Sequence, residues 1–241
     1  MLHAITENKT GRIEVNGKKV SIRQLFRERE DMLTATIFSR LSYLSTPALH
    51  QFFSALIPST DLSFGNLREV ELWPRFSLEG HKQNLVEPDV LLNFDWGTLV
   101  VEVKRPKDGI QSYQQWHREL DCLPNEYTEG EVLLLALGGD SKHNQQMITQ
   151  LNEKLVSIDF PFQLSLFEMN WKLFGNIINN IILKDNIKLL STDIAVFKDF
   201  LLALELYRVN YRQVDMSDLS KINKSRIKLV KNILALPKIK K

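Results

Sequence analysis

The spacing of hydrophobic residues along the 241-residue chain changes several times, and each change marks an element. From Arg12 to Ile22, RIEVNGKKVSI alternates around Asn16-Gly17, the pair preferred in a two-residue type I′ turn, and predicts a small hairpin. In REREDMLTATIFSRLSYLS, Leu33, Ile37, Leu41 and Leu44 recur at helical spacing, which predicts one amphipathic helix. Glu30 lies one turn before Leu33 on the same face. Pro47 ends or interrupts that pattern, and ALHQFFSALI predicts a second short helix. LREVELWPRFSL (Leu67 to Leu78) reads as a strand bent at Pro74. EPDVLLNFDWGTLVVEVK (Glu87 to Lys104) reads as a hairpin turning at Asp95, Trp96 and Gly97. GIQSYQQWHREL predicts a helix with Tyr113, Trp116 and Leu120 on its buried stripe. EVLLLALGG (Glu131 to Gly139) is almost wholly apolar, as in a central strand covered on both faces. HNQQMITQLNEKL predicts another helix, FQLSLFEMNW a strand or extended segment, and the chain from Lys172 onward is mostly helical.

That order gives an α/β core of helix, three strands, helix and strand, with helical C-terminal additions. The expected division is residues 1–175 and 176–241. A net charge of +2 announces no polyanionic partner by itself. The tail does more: SKINKSRIKLVKNILALPKIKK holds Lys221, Lys224, Arg226, Lys228, Lys231, Lys238, Lys240 and Lys241 and no acid. It reads as a solvated amphipathic end or as a phosphate-contacting one. The single cysteine, Cys122, excludes an intramolecular disulfide and a cysteine zinc cluster, and reads as buried and inert. MLHAITENKT has no signal-peptide core, and no stretch reaches the ~18 apolar residues of a membrane span. The expectation is a cytoplasmic protein with no membrane partner.

The chemistry concentrates in the hairpin. Strand side chains alternate between faces, so Glu102 and Lys104 share a face while Val103 points away. Asp89 lies about as far from the turn on the neighbouring strand, so Asp89 and Glu102 can approach each other. Two close carboxylates repel unless a proton or a cation lies between them. Mg²⁺ is the natural cation, with Mn²⁺ as a substitute, because it prefers carboxylate oxygens, water and phosphates. The main-chain carbonyl of Val103 can add a ligand. Lys104 can hold or help deprotonate a metal-bound water, or stabilise charge developing on a phosphate. Phosphodiester hydrolysis suits such a set. His81 and His117 are candidate general bases, but lone histidines are usually neither base nor ligand. Trp73, Trp96, Trp116 and Trp171 read as packing residues, and Gly138 to Asp140 as a strand-end turn.

Pro88-Asp89, twelve further residues, then Glu102-Val103-Lys104 resemble the motif of the PD-(D/E)xK nuclease superfamily, the restriction-endonuclease-like fold. The resemblance spans roughly residues 25 to 140 and implies that fold's core with a mixed central sheet. It implies that Glu30 adds an acid from the first helix, Asp31 falling off the Leu33/Ile37 face. It implies a Gln from the helix after the Lys: Gln115, with Gln111 and Gln114 as substitutes and Glu119 one turn beyond. LTATIFSRLSYL and QWHREL narrow the likeness to bacterial nuclease-like proteins found in defence contexts. The implied activity is a Mg²⁺-dependent DNA endonuclease with Glu30, Asp89, Glu102 and the Val103 carbonyl around the metal. RPKDG after the motif and Trp116 in the Gln helix are local departures that remove no ligand.

Rival readings stay open. One is a nuclease of the same fold in repair, recombination or transposition, or one acting on RNA. Another is a non-catalytic DNA-binding subunit that keeps the fold. Asp89 and Glu102 pointing apart, or a salt bridge capping Lys104, would favour the subunit. A third is a homodimer cutting both strands, with IINNIIL as its interface, or a complex with other subunits.

Overall fold

The computed structural model describes residues 2–57, 64–77, 85–107, 109–155, 162–183 and 189–211. The chain begins with helix α1 (Leu2–Thr6) and a hairpin of β1 (Arg12–Val15) and β2 (Lys18–Ser21). Asn16 and Gly17 take φ of 51° and 74°, as a type I′ turn requires.

The one helix expected after the hairpin is two. α2 (Ile22–Glu28) is capped by Ser21, whose hydroxyl accepts from Gln24 N. Arg29 is extended, and α3 (Glu30–Phe38) starts afresh. The Tyr207 hydroxyl fixes the break by donating to the carbonyls of Phe26 and Arg29. Leu41 sits in a single 3₁₀ turn (Leu41–Tyr43) beyond α3, and Leu44 follows that turn. Both stay buried in the core with Leu33 and Ile37, so their spacing imitated a continuous helix. Pro47 opens a helix instead of ending one: α4 (Thr46–Leu56) has Ser45 as its cap and Pro in its first turn.

Strand β3 (Leu67–Leu72) stops at Trp73, which takes φ 52° before Pro74. Phe76–Ser77 (β4) leaves to pair with Leu85–Val86 (β5), so the expected bend is a strand break. The next hairpin joins β6 (Val90–Phe94) to β7 (Gly97–Val103). Phe94 pairs with Gly97, leaving Asp95 and Trp96 as the whole loop. A Cβ on Gly97 would lie 2.0 Å from the Glu131 carbonyl oxygen, so the neighbouring strand's close approach demands glycine there. Then follow α5 (Tyr113–Asp121), β8 (Glu131–Leu137), α6 (Ser141–Leu155), β9 (Leu164–Met169), α7 (Trp171–Leu183) and α8 (Ser191–Leu206).

The central sheet has the order β3-β6-β7-β8-β9. The pairs β3/β6 and β6/β7 are antiparallel, and β7/β8 and β8/β9 are parallel. The chain is thus α/β with a mixed five-stranded sheet. Alternation divides β7 and β8 between two cores. Leu99, Val101, Val103, Leu133, Leu135 and Leu137 join α3, α4, α7 and α8 on one face. Val100, Val132, Leu134 and Ala136 meet Trp116, Leu120 and Leu151 of α5 and α6 on the other. Both faces are covered, which is why these strands are mostly apolar, with Thr98 and Glu102 of β7 as buried exceptions.

The boundary expected after residue 175 falls inside α7. Phe174 before it and Ile178 and Ile181 after it share one core with Phe197 and Phe200 of α8. Ile178 and Ile181 are therefore committed to the chain's own interior and are not available as the dimer interface expected of IINNIIL. His81 and the basic tail lie outside the described residues. No helix among the described residues is long and apolar enough to cross a membrane.

Candidate active site

Val90 pairs with Val101, so the residues flanking that pair, Asp89 and Glu102, come side by side where β6 begins and β7 ends. Glu102 is the one acidic residue among the six that follow Gly97 in β7, and it points towards α5, the face of Val100. Lys104 follows just past the strand. Its N–H donates to the Leu137 carbonyl (2.8 Å) and its own carbonyl accepts from Trp171 Nε1 (2.7 Å). Gly138, at φ 90°, allows this approach, since a Cβ there would lie 2.0 Å from the Lys104 carbonyl oxygen. The backbone that aims Lys104 is thus held from two neighbouring elements.

Asp89 Oδ2 accepts from Val103 N (2.8 Å). Lys104 Nζ forms an ion pair with Glu102 Oε1 and also donates to the Val103 carbonyl (3.2 Å). From α5, Gln115 Nε2 donates to Glu102 Oε1 (2.7 Å) and to Glu119 Oε1 (2.8 Å). From α3, Glu30 Oε2 accepts from Arg105 N (3.0 Å), which brings its carboxylate beside the end of β7. The structure therefore gathers Asp89, Glu102, Val103, Lys104, Glu30 and Gln115 at one place. Asp31 is exposed. Gln111 serves the scaffold: it is buried, donates to the carbonyls of Glu102 and Leu137, and accepts from Trp116 Nε1. Gln114 pairs with Ser112 on the surface.

Glu119 is the member that the sequence underrated. It is 1% exposed, as is Glu102, and the two buried carboxyl groups lie close enough to share a hydrogen bond when one is protonated. The available signal was its position four residues after Gln115, which puts both on one helix face.

Four carboxylates around one ammonium make an electrostatically costly site. Burial, then the charge of Glu102, pushes Asp89 up to about 8. Burial, then the charge of Glu119, pushes Glu102 up to about 8, with Lys104 opposing. Burial pushes Glu119 up to about 7 against the hydrogen bond from Gln115. Burial pulls Lys104 down, but Glu102, Glu30 and Asp89 outweigh it and leave the ammonium harder to deprotonate than usual. So held, Lys104 is suited to stabilise negative charge developing beside it.

Among the described residues, no group of three or more His, Cys, Asp or Glu side chains is placed to hold a metal ion. Mg²⁺ needs none, since it is commonly held by one or two carboxylates with waters and substrate phosphates. The oxygens that could serve such a hard cation here are those of Asp89 and Glu102 and the Val103 carbonyl, with Glu30 at the margin.

No family model matches the chain. An uncharacterized protein of Pasteurella multocida is 28% identical over 186 residues, covering 75% of this chain and 71% of that protein. No solved structure matches.

Proposed function

We propose that the chain is a metal-dependent endonuclease that hydrolyses DNA phosphodiester bonds on a restriction-endonuclease-like core, with defence against foreign DNA as its setting. The observation that carries this reading is the convergence of Asp89, Glu102, Lys104 and Gln115, with Glu119 against Glu102, in one cluster of acids around a single ammonium. The order α3, β3-β6-β7, α5, β8 supports the core assignment.

Asp89, Glu102 and the Val103 carbonyl, with Glu30, would hold Mg²⁺ or Mn²⁺. Bound there, the ion supplies Lewis acidity towards a phosphate and lowers the pKa of water. Lys104 places a positive charge against the same phosphate. Gln115 fixes the orientation of Glu102 and Glu119 through one amide. A carboxyl group titrating at about 7, as Glu119 does, is suited to take up a proton near neutral pH.

One observation favours a second reading, a non-catalytic DNA-binding subunit: Lys104 is capped by Glu102. An ammonium among four carboxylates pairs with its nearest neighbour under either reading, so the pair weighs less than the gathering of four acids does. A purely structural core gains little from four acids brought around one ammonium. Nucleases of the same fold in repair, recombination or transposition, or acting on RNA, differ from the main reading in substrate only.

Nicking of supercoiled plasmid in Mg²⁺ separates the readings. Asp89→Ala and Lys104→Ala should each lower the rate by at least about a hundredfold, the scale of losing one electrostatic catalytic group. Both should keep a cooperative thermal transition. Wild-type nicking rates in both variants would overturn the proposal.

A further inference from the structure

Beyond the carboxylate cluster, two adjoining grooves open near the ends of β7, β8 and β9. One, of about 520 Å³, is lined by Lys107, Ser141, Lys172, Tyr207 and Arg208 among others. The second, of about 250 Å³, shares Lys107, Tyr207 and Arg208 and adds Arg27 and Arg105. Arg105 also lines the pocket that holds Glu30 and Lys104. A path of cations therefore leads from the candidate active site outward.

These five cations outnumber the two acids of the same grooves, Glu28 and Asp140. Among the described residues, none of Arg27, Arg105, Lys107, Lys172 and Arg208 forms an ion pair with a carboxylate. Glu28 accepts instead from Gln24 Nε2 (2.9 Å) and Asp140 from His143 N (3.0 Å), and each keeps its charge. Arg27 is held below its usual pKa, first by burial and then by the positive charges of Arg23 and Arg208. Packing like charges this way works against folding, and it suits a polyanion that neutralises them.

Arg208 adds an independent sign. It terminates α8 at φ 59°, in the left-handed region, with its N–H on the Glu205 carbonyl and that of Val209 on Leu204. Glycine is favoured at this position of a helix end, and a long side chain there costs backbone energy. The chain keeps an exposed arginine in spite of that cost.

We propose that the two grooves hold the phosphate backbone of a DNA strand and feed it to the Glu30–Lys104 cluster, with Arg105, Lys107, Lys172 and Arg208 on successive phosphates. This rests on the phosphodiesterase reading of the cluster. An acidic polypeptide offers the same charge to the groove, but it has no bond for the cluster to act on.

The test is binding of a fluorescent random-sequence duplex to the full chain in chelator, read by anisotropy across salt concentrations. Lys107→Ala/Lys172→Ala/Arg208→Gly should weaken binding at least about tenfold and make the slope of log affinity against log salt shallower by about 2 to 3. Arg12→Ala/Lys18→Ala/Lys19→Ala removes the same charge from hairpin residues that line neither groove and should change neither. Arg208→Gly alone should weaken binding while leaving the melting temperature unchanged or raised, because glycine relieves the helix end. Unchanged binding in the triple variant, or an equal loss in the hairpin control, overturns the groove. So does polyglutamate that competes as well as DNA. If the duplex binds as described but the wild-type chain nicks no DNA in Mg²⁺, the nuclease reading fails and the groove stands. If the chain nicks DNA and the triple variant binds normally, the groove alone fails.

Discussion

Glu102 carries an ammonium and an amide on one carboxyl oxygen and lies against the Glu119 carboxyl, in a position 1% exposed. Holding it ionised beside Glu119 and Asp89 works against the fold unless further positive charge faces the cluster. The raised pKa values of Asp89, Glu102 and Glu119 give this a sign. At pH values between the unfolded and folded pKa, the folded chain keeps protons that the unfolded chain has lost, so stability falls as pH rises. The window runs from about 4, the ordinary carboxyl value, to about 8. Thermal melts in chelator should therefore show a falling melting temperature across that window. Asp89→Asn and Glu102→Gln should each flatten the fall. Mg²⁺ added near the upper end should raise the wild-type melting temperature and leave Glu102→Gln unmoved. A melting temperature that rises with pH would contradict the buried cluster. At this scale the hairpin residues were legible because strand alternation assigns faces without tertiary information. Glu119 was not, since an acid four residues after a Gln is also the commonest pattern on a solvated helix. Its burial comes from the packing of α5 on the sheet.

Helix breaks were the least legible elements. Leu33, Ile37, Leu41 and Leu44 all reach one core, yet only the first two lie in α3. The break at Arg29 depends on Tyr207, 178 residues away, and no local pattern could show it. That break also sets where Glu30 starts α3 and so where its carboxylate meets Arg105 N. Tyr207→Phe removes the hydroxyl from two backbone carbonyls and should cost about 1–3 kcal/mol, the usual penalty for leaving buried polar groups unpaired. Urea unfolding should show a lower midpoint with an unchanged slope. Plasmid nicking should fall more in this variant than stability alone explains, because Glu30 loses its anchor. Nicking equal to wild type would separate Glu30 from the chemistry and leave Asp89, Glu102 and Lys104 to carry it. At Pro74 and Pro47 the residue type was informative but its effect was misjudged. Trp73 turns the chain out of β3 altogether, and Pro47 occupies the first turn of a helix, where its missing N–H costs nothing.

For the molecule as a whole, the two-sided burial of β8 followed from an apolar run bounded by glycine, but the place of the C-terminal helices did not. Their composition reads equally well as an appendage or as a core layer, because an apolar helix face does not say what it faces. In the structure α7 and α8 cover the sheet face opposite α5 and α6, and Phe174, Ile178, Phe197 and Phe200 pack beside Phe52 of α4. Trp171, at the start of α7, also holds the Lys104 carbonyl, so this layer reaches the candidate site directly. A chain ending at residue 175 would expose the Leu99, Val101, Leu133 and Leu135 face of the sheet and lose most of α7. Each large core side chain stripped of its partners costs a few kcal/mol, and several together exceed the ~5–15 kcal/mol that holds a domain folded. The truncated chain should therefore show no cooperative melting transition and rapid amide exchange throughout β7 and β8. A chain ending at Tyr211 retains every described contact and should melt cooperatively. Exchange protection of β7 that survives removal of α7 and α8 would mean that the strand bearing Glu102 is stabilised from the α5 side alone, which fits poorly with a strand that turns Leu99, Val101 and Val103 to α7 and α8 and only Val100 among its apolar side chains to α5.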